Sequence, residues 1–176
     1  VIINMDASER RSKLLEMLSS SSQPLKGASL ASALGVTRQV VVQDIAVLRA
    51  RGENILATPR GYTYWTEPRR PGIIKIVAVK HDFPQAREEL LTMVSCGVEV
   101  IDVIVEHPVY GQLTGQLSIF TPEDVENFMQ TMEQTQAGLL SSLTDGVHLH
   151  TVRASHIEQL AELEKHLGER GFLIQD

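Results

Sequence analysis

All six histidines of this chain lie beyond residue 72: His81, His107, His148, His150, His156 and His166. Two of them form a His-x-His pair, His148 and His150. On a β-strand, side chains two residues apart leave the same face, so such a pair brings two imidazoles together at little backbone cost. His81 is followed by three carboxylates, Asp82, Glu88 and Glu89. Three imidazoles and one carboxylate make a donor set for a divalent transition metal. The plain alternative is a pair of surface histidines, and the helical pattern around residues 88 and 89 does not choose between the two glutamates. His107 belongs to a different constellation, Glu106-His107-Pro108-Val109-Tyr110-Gly111-Gln112-Leu113. A histidine and a tyrosine in such a turn can line a small-molecule pocket. Equally, His107 can cap backbone groups of a hairpin while Tyr110 packs. His156 and His166 fall on the last helix, where a solvated role is expected.

The elements that must position these groups read as strands and helices mixed. Residues 73–79, 98–105, 113–120 and 147–152 are rich in β-branched and apolar side chains and predict strands. A helix is expected over residues 84–96, with Pro84 in its first turn and Gly97 closing it. Two more are expected, one from Thr121-Pro122-Glu123-Asp124 to about Thr135 and one capped by Ser155 that runs to about Arg170. Residues 172–174 read as a final edge strand. The implied architecture is an α+β sandwich with a mainly antiparallel sheet and helices over one face.

Residues 29–52 carry a different chemistry. The text SLASALGVTRQVVVQDIAVLRARG predicts two short helices. Leu30, Ala31 and Leu34 share one face of the first, Gly35 breaks it, and Thr37 is a good N-cap for the second. Val41, Ile45 and Leu48 then recur at the spacing of a buried stripe. The opposite face holds Arg38, Gln39, Val42, Gln43 and Arg49, groups of the kind that read base edges in a major groove. The bland reading is an αα-hairpin with a solvated face. Upstream, residues 10–19 predict a first helix with Leu14, Leu15 and Leu18 inward. Downstream, residues 54–57 and 62–65 predict two short strands around Pro59-Arg60-Gly61, with Trp65 or a tyrosine covering the small core. Arg60 at that tip is placed for a phosphate or the minor groove. Three helices and a hairpin make a winged helix-turn-helix, which favours DNA over the bland reading.

Charge supports this division. The chain is acidic overall, at −6. Residues 1–70 nevertheless hold ten basic and six acidic side chains, a balance of +4, and residues 71–176 hold six basic and sixteen acidic, a balance of −10. A basic first part can approach phosphates while an acidic second part stays away from them. The composition predicts a DNA-binding domain over residues 1–66, a linker over 67–72 with two prolines and a glycine, and a regulatory domain over 73–176. The single cysteine, Cys96, excludes a disulfide framework and is expected to serve helix packing. No apolar run approaches a membrane span and no signal-peptide core is visible, so a cytoplasmic location without membrane contact is expected.

With these segments in hand, the chain resembles the NiaR-type bacterial regulators. These are repressors of NAD biosynthesis and niacin uptake genes, built from a winged helix-turn-helix and a "3H" domain named for its histidines. The resemblance covers almost the whole chain. It rests on VTRQVVVQDIAVLRARG and ATPRGYTYW in the first part, and on VKHDF, EHPVYGQL and DGVHLHTV in the second. It implies one divalent transition metal per chain (Ni, Zn, Fe or Mn), held by His81, Glu89, His148 and His150, and it selects Glu89 over Glu88. It further implies nicotinic acid as co-repressor, with His107 and Tyr110 as candidate contacts. The expected DNA-reading residues are Thr37, Arg38, Gln39, Val42, Gln43, Arg49 and Arg60. Readers of this class bind palindromic operator DNA as homodimers, and effector binding must favour the DNA-competent arrangement.

Two rival functions are distinguishable. A metal sensor would use the metal itself as signal. A metal-dependent hydrolase would use the ion to activate water, but four protein ligands crowd the ion and no separate general base occupies a clear motif position. A non-enzymatic regulator is therefore expected.

Overall fold

The computed structural model describes residues 5–65 and 71–174. Most of the expected 67–72 linker therefore lies outside the described residues. The chain divides into two compact units, Val1–Arg69 and Arg70–Asp176.

The first unit opens with α1, Ala7–Ser20. The helix begins earlier than the apolar pattern alone predicts because Asp6 caps it. The Asp6 carboxylate accepts from Ser8 and Glu9 N–H, and the Glu9 side chain reaches back to the Asp6 N–H. Next comes α2, Gly27–Leu34, which ends at Gly35 in the left-handed region (φ 65°), where a side chain would be strained. Then α3, Arg38–Ala50, starts after Thr37, whose hydroxyl accepts from Val40 N–H. The axes of α2 and α3 are bent by 99°, within the range of helix-turn-helix pairs.

Leu14, Leu18, Leu30, Ala31, Leu34, Val41, Ile45 and Leu48 meet in one core. Strands β1, Ile55–Thr58, and β2, Gly61–Tyr64, form the hairpin. Their register pairs Thr58 with Gly61, so the turn is Pro59-Arg60 alone and Gly61 belongs to the strand. Tyr62 and Tyr64 pack on the small core, whereas Trp65 is exposed.

The second unit is built on a four-stranded antiparallel sheet. Its strands are β3 (Ile73–Lys80), β4 (Glu99–His107), β5 (Gly111–Ile119) and β6 (Val147–Ala154), in the order β3-β6-β4-β5. Strand alternation decides which side chains are buried. Val77 and Val79 lie opposite His150 and His148, and this face continues through Val152 and Ala154. Three helices cover it: α4 (Ala86–Ser95), α5 (Pro122–Thr135) and α6 (Ile157–Glu169). They contribute Leu90 and Met93, Val125 and Met129, and Leu160, Leu163 and Leu167 to the same core. The sheet is thus antiparallel and one face carries the helices.

Several boundaries differ from expectation for local reasons. The helix expected from Pro84 opens as a 3-10 turn, Phe83–Gln85, before α4 begins at Ala86. The N-cap of α6 is His156 and not Ser155, because the Gln159 carboxamide accepts from the N–H groups of both. Residues 172–174 form no strand. Leu173 makes a single bridge to Val79, with Lys80 N–H donating to Phe172 and Ile174 N–H to Ala78. Among the described residues, no single helix is long and apolar enough to cross a membrane.

Candidate metal centre and nucleic-acid interface

His81 follows the last residue of β3, and His148 and His150 project from β6 to the helix-covered face. Glu89 comes down from α4 and is 1% exposed. Its neighbour Glu88 is exposed and pairs with Arg170 instead. Helix orientation therefore makes the choice that the sequence pattern left open. His81, His148 and His150 are all buried with Glu89.

The Nδ1 atoms explain how the rings are aimed. His81 Nδ1 lies 2.9 Å from the Asp82 carbonyl, His148 Nδ1 2.8 Å from the Gly146 carbonyl, and His150 Nδ1 2.7 Å from the Asp102 carbonyl. A carbonyl can only accept, so each Nδ1 carries a proton and donates it. Each ring then turns its Nε2 inward. His81 Nε2 is 2.6 Å from Glu89 Oε2, and the Nε2 atoms of His148 and His150 are each 3.5 Å from Glu89 Oε1. Among the described residues, Glu89 Oε1 has no hydrogen-bond partner. The donor atoms of His81, Glu89 and His148 all lie within 4.8 Å of one another.

Four acceptors facing one another inside a protein need a cation or extra protons. In the protein without metal, protons fill that role. Burial opposes the charge on Glu89, yet His150, His148 and His81 hold its carboxyl well below the usual range. Burial likewise pulls the His81 and His150 imidazoles down, but Glu89 and the backbone carbonyls lift them above their ordinary value. The residues also fit a divalent transition ion. The imidazole nitrogens of His81 and His148 and the carboxylate of Glu89 lie close enough together to share such an ion, while His150 falls outside that group and stands beside it, with Nε2 3.5 Å from Glu89 Oε1. Backbone carbonyls on the far ring nitrogens are the arrangement that fixes metal-ligating histidines.

Two contributors carry no local mark in the sequence. Asp102 is buried, its carbonyl orients His150, and its carboxylate accepts from Thr151 N–H at 3.0 Å. Gly146 supplies the carbonyl for His148 at a point where a Cβ would lie 2.3 Å from the His81 carbonyl oxygen. Only glycine fits that approach.

His107 and Tyr110 are brought together at the β4–β5 turn, with ring centroids 5.0 Å apart. His107 Nδ1 accepts from the N–H groups of Val109 and Tyr110, so it does cap the hairpin. Tyr110 does not pack inward and is 74% exposed. His156 is exposed as expected, but His166 is half-buried with Nδ1 3.6 Å from Cys96 Sγ.

In the first unit, Thr37, Arg38, Gln39, Val42, Gln43 and Arg49 are all exposed on α3 or its cap, opposite the buried stripe. Arg49 is partly committed elsewhere, since its Nε donates to the Ile55 carbonyl at 2.7 Å and ties α3 to the hairpin. Arg60 sits in the hairpin turn. Asp44, which the reading of the two helix faces does not single out, is buried, 2.6 Å from Arg10 Nε and 3.3 Å from Arg11 Nη1. A signal was available, because residue 44 falls on the i, i+3, i+4, i+7 stripe of Val41, Ile45 and Leu48. A lone charge on such a stripe calls for a buried partner.

Comparison with known proteins agrees with both halves. A helix-turn-helix domain model matches residues 10–63, and a 3H domain model matches residues 74–176. A protein of Thermotoga maritima described as a probable transcription repressor NiaR is 44% identical over 168 residues, covering 96% of this chain and 95% of the relative. The transcription repressor NadR of Bacillus subtilis is 40% identical over 176 residues, covering 99% and 98%. By matched domains and by near full-length identity, this chain belongs to the NiaR/NadR family of transcription repressors.

Proposed function

We propose that this chain represses genes of NAD biosynthesis and niacin uptake, with nicotinic acid as co-repressor and one divalent transition metal (Ni, Zn, Fe or Mn) in the second unit. The observation that carries the regulatory half is the convergence of three Nε2 atoms on the Glu89 carboxylate, each ring pinned from behind by a main-chain carbonyl. His81, Glu89, His148 and His150 hold the metal, and when bound the ion supplies a fixed positive charge. The exposed ring of Tyr110 and the half-buried ring of His107, with centroids 5.0 Å apart, offer aromatic surface for a small aromatic acid.

The DNA-reading residues are Thr37, Arg38, Gln39, Val42, Gln43 and Arg49 on the recognition helix, with Arg60 in the wing. The protein acts as a homodimer on a palindromic operator, with recognition helices about 34–36 Å apart. Support for a second copy comes from the sheet face opposite the helices. Ile74 and Ile76, which pair with Arg153 and Thr151 on that face, are 51% and 56% exposed, and apolar surface of this kind marks an interaction face. The chain does no chemistry on its ligand and works in the cytoplasm.

Nicotinate controls DNA binding only through its differential affinity for two states. A 100-fold tightening on DNA corresponds to about 2.7 kcal/mol of coupling. Reciprocity requires operator DNA to tighten nicotinate binding by the same factor. Titration calorimetry of nicotinate into metal-loaded protein, free and on a duplex selected by the protein itself, tests this. Equal affinity in both would remove nicotinate from the mechanism.

A second reading is favoured by the burial of the donors. With Glu89 1% exposed and His148 and His150 3% exposed, the metal site is closed to an effector. In that reading the ion is itself the signal, and DNA affinity tracks metal and ignores nicotinate.

A further inference from the structure

We propose that the Asp102 side chain is a positioning residue of the metal centre: its carboxylate stands in for a main-chain acceptor to Thr151, which frees the Asp102 carbonyl to set the tautomer and aim of His150. The proposal rests on the metal reading above and extends it to a residue outside the donor set.

Strand β4 is irregular on both flanks at this point. Against β6, Val100 pairs with Val152 and Ile104 with Leu149, so four steps along β4 match three along β6. Against β5, Val100 pairs with Ile119 and Asp102 with Gln116, so two steps along β4 match three along β5. Within that longer stretch of β5, Ser118 is held in the left-handed region at φ 54°, which a residue other than glycine rarely adopts. Two register shifts thus meet around residues 100–104. Bulges of this kind interrupt pairing and re-aim side chains, and they recur beside functional sites.

An interrupted ladder leaves buried groups in need of partners. In a regular antiparallel pair, Thr151 N–H would donate to a main-chain carbonyl of the neighbouring strand. Here it donates to Asp102 Oδ1 at 3.0 Å. The Asp102 carbonyl accepts from His150 Nδ1 at 2.7 Å. Asp102 therefore serves two consecutive residues of β6, one with its side chain and one with its main chain. Asp102 and His150 are both buried, so an acceptor lost here is not replaced from solvent. Without the carboxylate, β4 must slip toward regular pairing to satisfy Thr151, and the carbonyl of residue 102 turns away from the ring.

The consequence is specific to His150. A free neutral imidazole favours the Nε2–H tautomer, which has no lone pair at Nε2. An acceptor behind Nδ1 reverses that preference. His81 and His148 find their acceptors close by in sequence, on Asp82 and Gly146. The acceptor for His150 comes from another strand, 48 residues away. Its aim toward Glu89, with Nε2 3.5 Å from Oε1, depends on the bulge being held.

The experiment uses the full chain as wild type, Asp102→Ala and Asp102→Asn. Long-range proton–nitrogen NMR of metal-free, nitrogen-15-labelled protein at alkaline pH reports the tautomer of each ring. Competition against a chelating dye gives the affinity for zinc ion. The wild type should show Nδ1–H at His81, His148 and His150. Asp102→Ala should shift His150 alone toward Nε2–H and weaken zinc binding by about 10–100-fold. Asp102→Asn keeps an oxygen acceptor for Thr151 and should restore both.

A His150 ring that stays Nδ1–H in Asp102→Ala overturns the proposal. So do three rings shifting together, which marks a general loosening of the fold, and an Asp102→Asn variant that behaves like alanine. Zinc affinity equal in wild type and Asp102→Ala removes the positioning role and leaves the metal reading standing. A wild type that binds no zinc sinks the metal reading itself.

Discussion

The imidazole of His150 donates its Nδ1 proton to the carbonyl of Asp102, 2.7 Å away on the neighbouring strand. That one bond decides the chemistry of the ring. It sets Nδ1 as the donor and turns Nε2 toward Glu89. Because β4 and β6 are adjacent in the sheet, the fold itself sets the aim of the ring.

Metal content follows from the donor set. The purified chain should carry one divalent transition ion per copy. His148→Ala and His150→Ala should each lose most of it, since each removes a nitrogen from a four-donor site. Elemental analysis after exhaustive dialysis checks this. Full occupancy in the double variant would place the metal elsewhere.

The metal-free cluster should also give stability a distinctive pH dependence. The raised imidazoles of His81 and His150 contribute stability that is complete below their ordinary value of 6.5 and is lost as pH rises through the higher folded values. The lowered carboxyl of Glu89 contributes stability that is present above its ordinary 4.5 and is lost as pH falls through its lower folded value. Both contributions are in place between 4.5 and 6.5. The melting temperature of chelated protein should peak in that window and decline toward alkaline pH. Metal competes with protons for the same nitrogens, so its affinity should rise over the same range. Thermal melts of chelated and metal-loaded protein across pH test both statements. A chelated protein that gains stability from mildly acid to alkaline pH would contradict the assignment.

Asp44 should matter for folding and not for reading DNA. Removing its carboxylate leaves Arg10 and Arg11 without their partner at the edge of the core. Asp44→Ala should cost roughly 1–3 kcal/mol of stability, whereas Gln39→Ala, on the exposed face, should stay within about 0.5 kcal/mol. Urea unfolding measures the difference. Equal midpoints for the two variants would remove the anchor role.

Recognition should divide between helix and wing. Gln43→Ala should weaken a selected duplex by roughly 1–3 kcal/mol and leave scrambled DNA nearly unaffected, if the carboxamide pairs with a base edge. Arg60→Ala should weaken both duplexes alike. Competition binding with the two duplexes separates these. A Gln43→Ala loss of equal size on both would take α3 out of the major groove.

Local signals were the legible ones. The stripe of Val41, Ile45 and Leu48, the break at Gly35 and the cap at Thr37 are encoded within a few residues of one another, and they appear in the structure as expected. The shared face of His148 and His150 follows from strand alternation alone. What could not be read depends on distant partners. Asp44 meets Arg10 and Arg11, more than thirty residues away. The choice of Glu89 over Glu88 depends on which side of α4 meets the sheet. Asp102 matters only because β4 lies beside β6. The cap of α6 shifted by one residue because Gln159 reaches two N–H groups at once, an arrangement that single-residue preferences do not distinguish.

The central claim is that metal and nicotinate together control DNA binding. The most direct test is one equilibrium DNA-binding measurement in four arms: metal-loaded or chelated protein, each with and without nicotinate. The account predicts tight, sequence-selective binding only in the arm with both, and nicotinamide should substitute poorly because it lacks the charge. Affinity that is the same in all four arms would contradict it, and affinity that follows metal alone would transfer the signal from nicotinate to the ion.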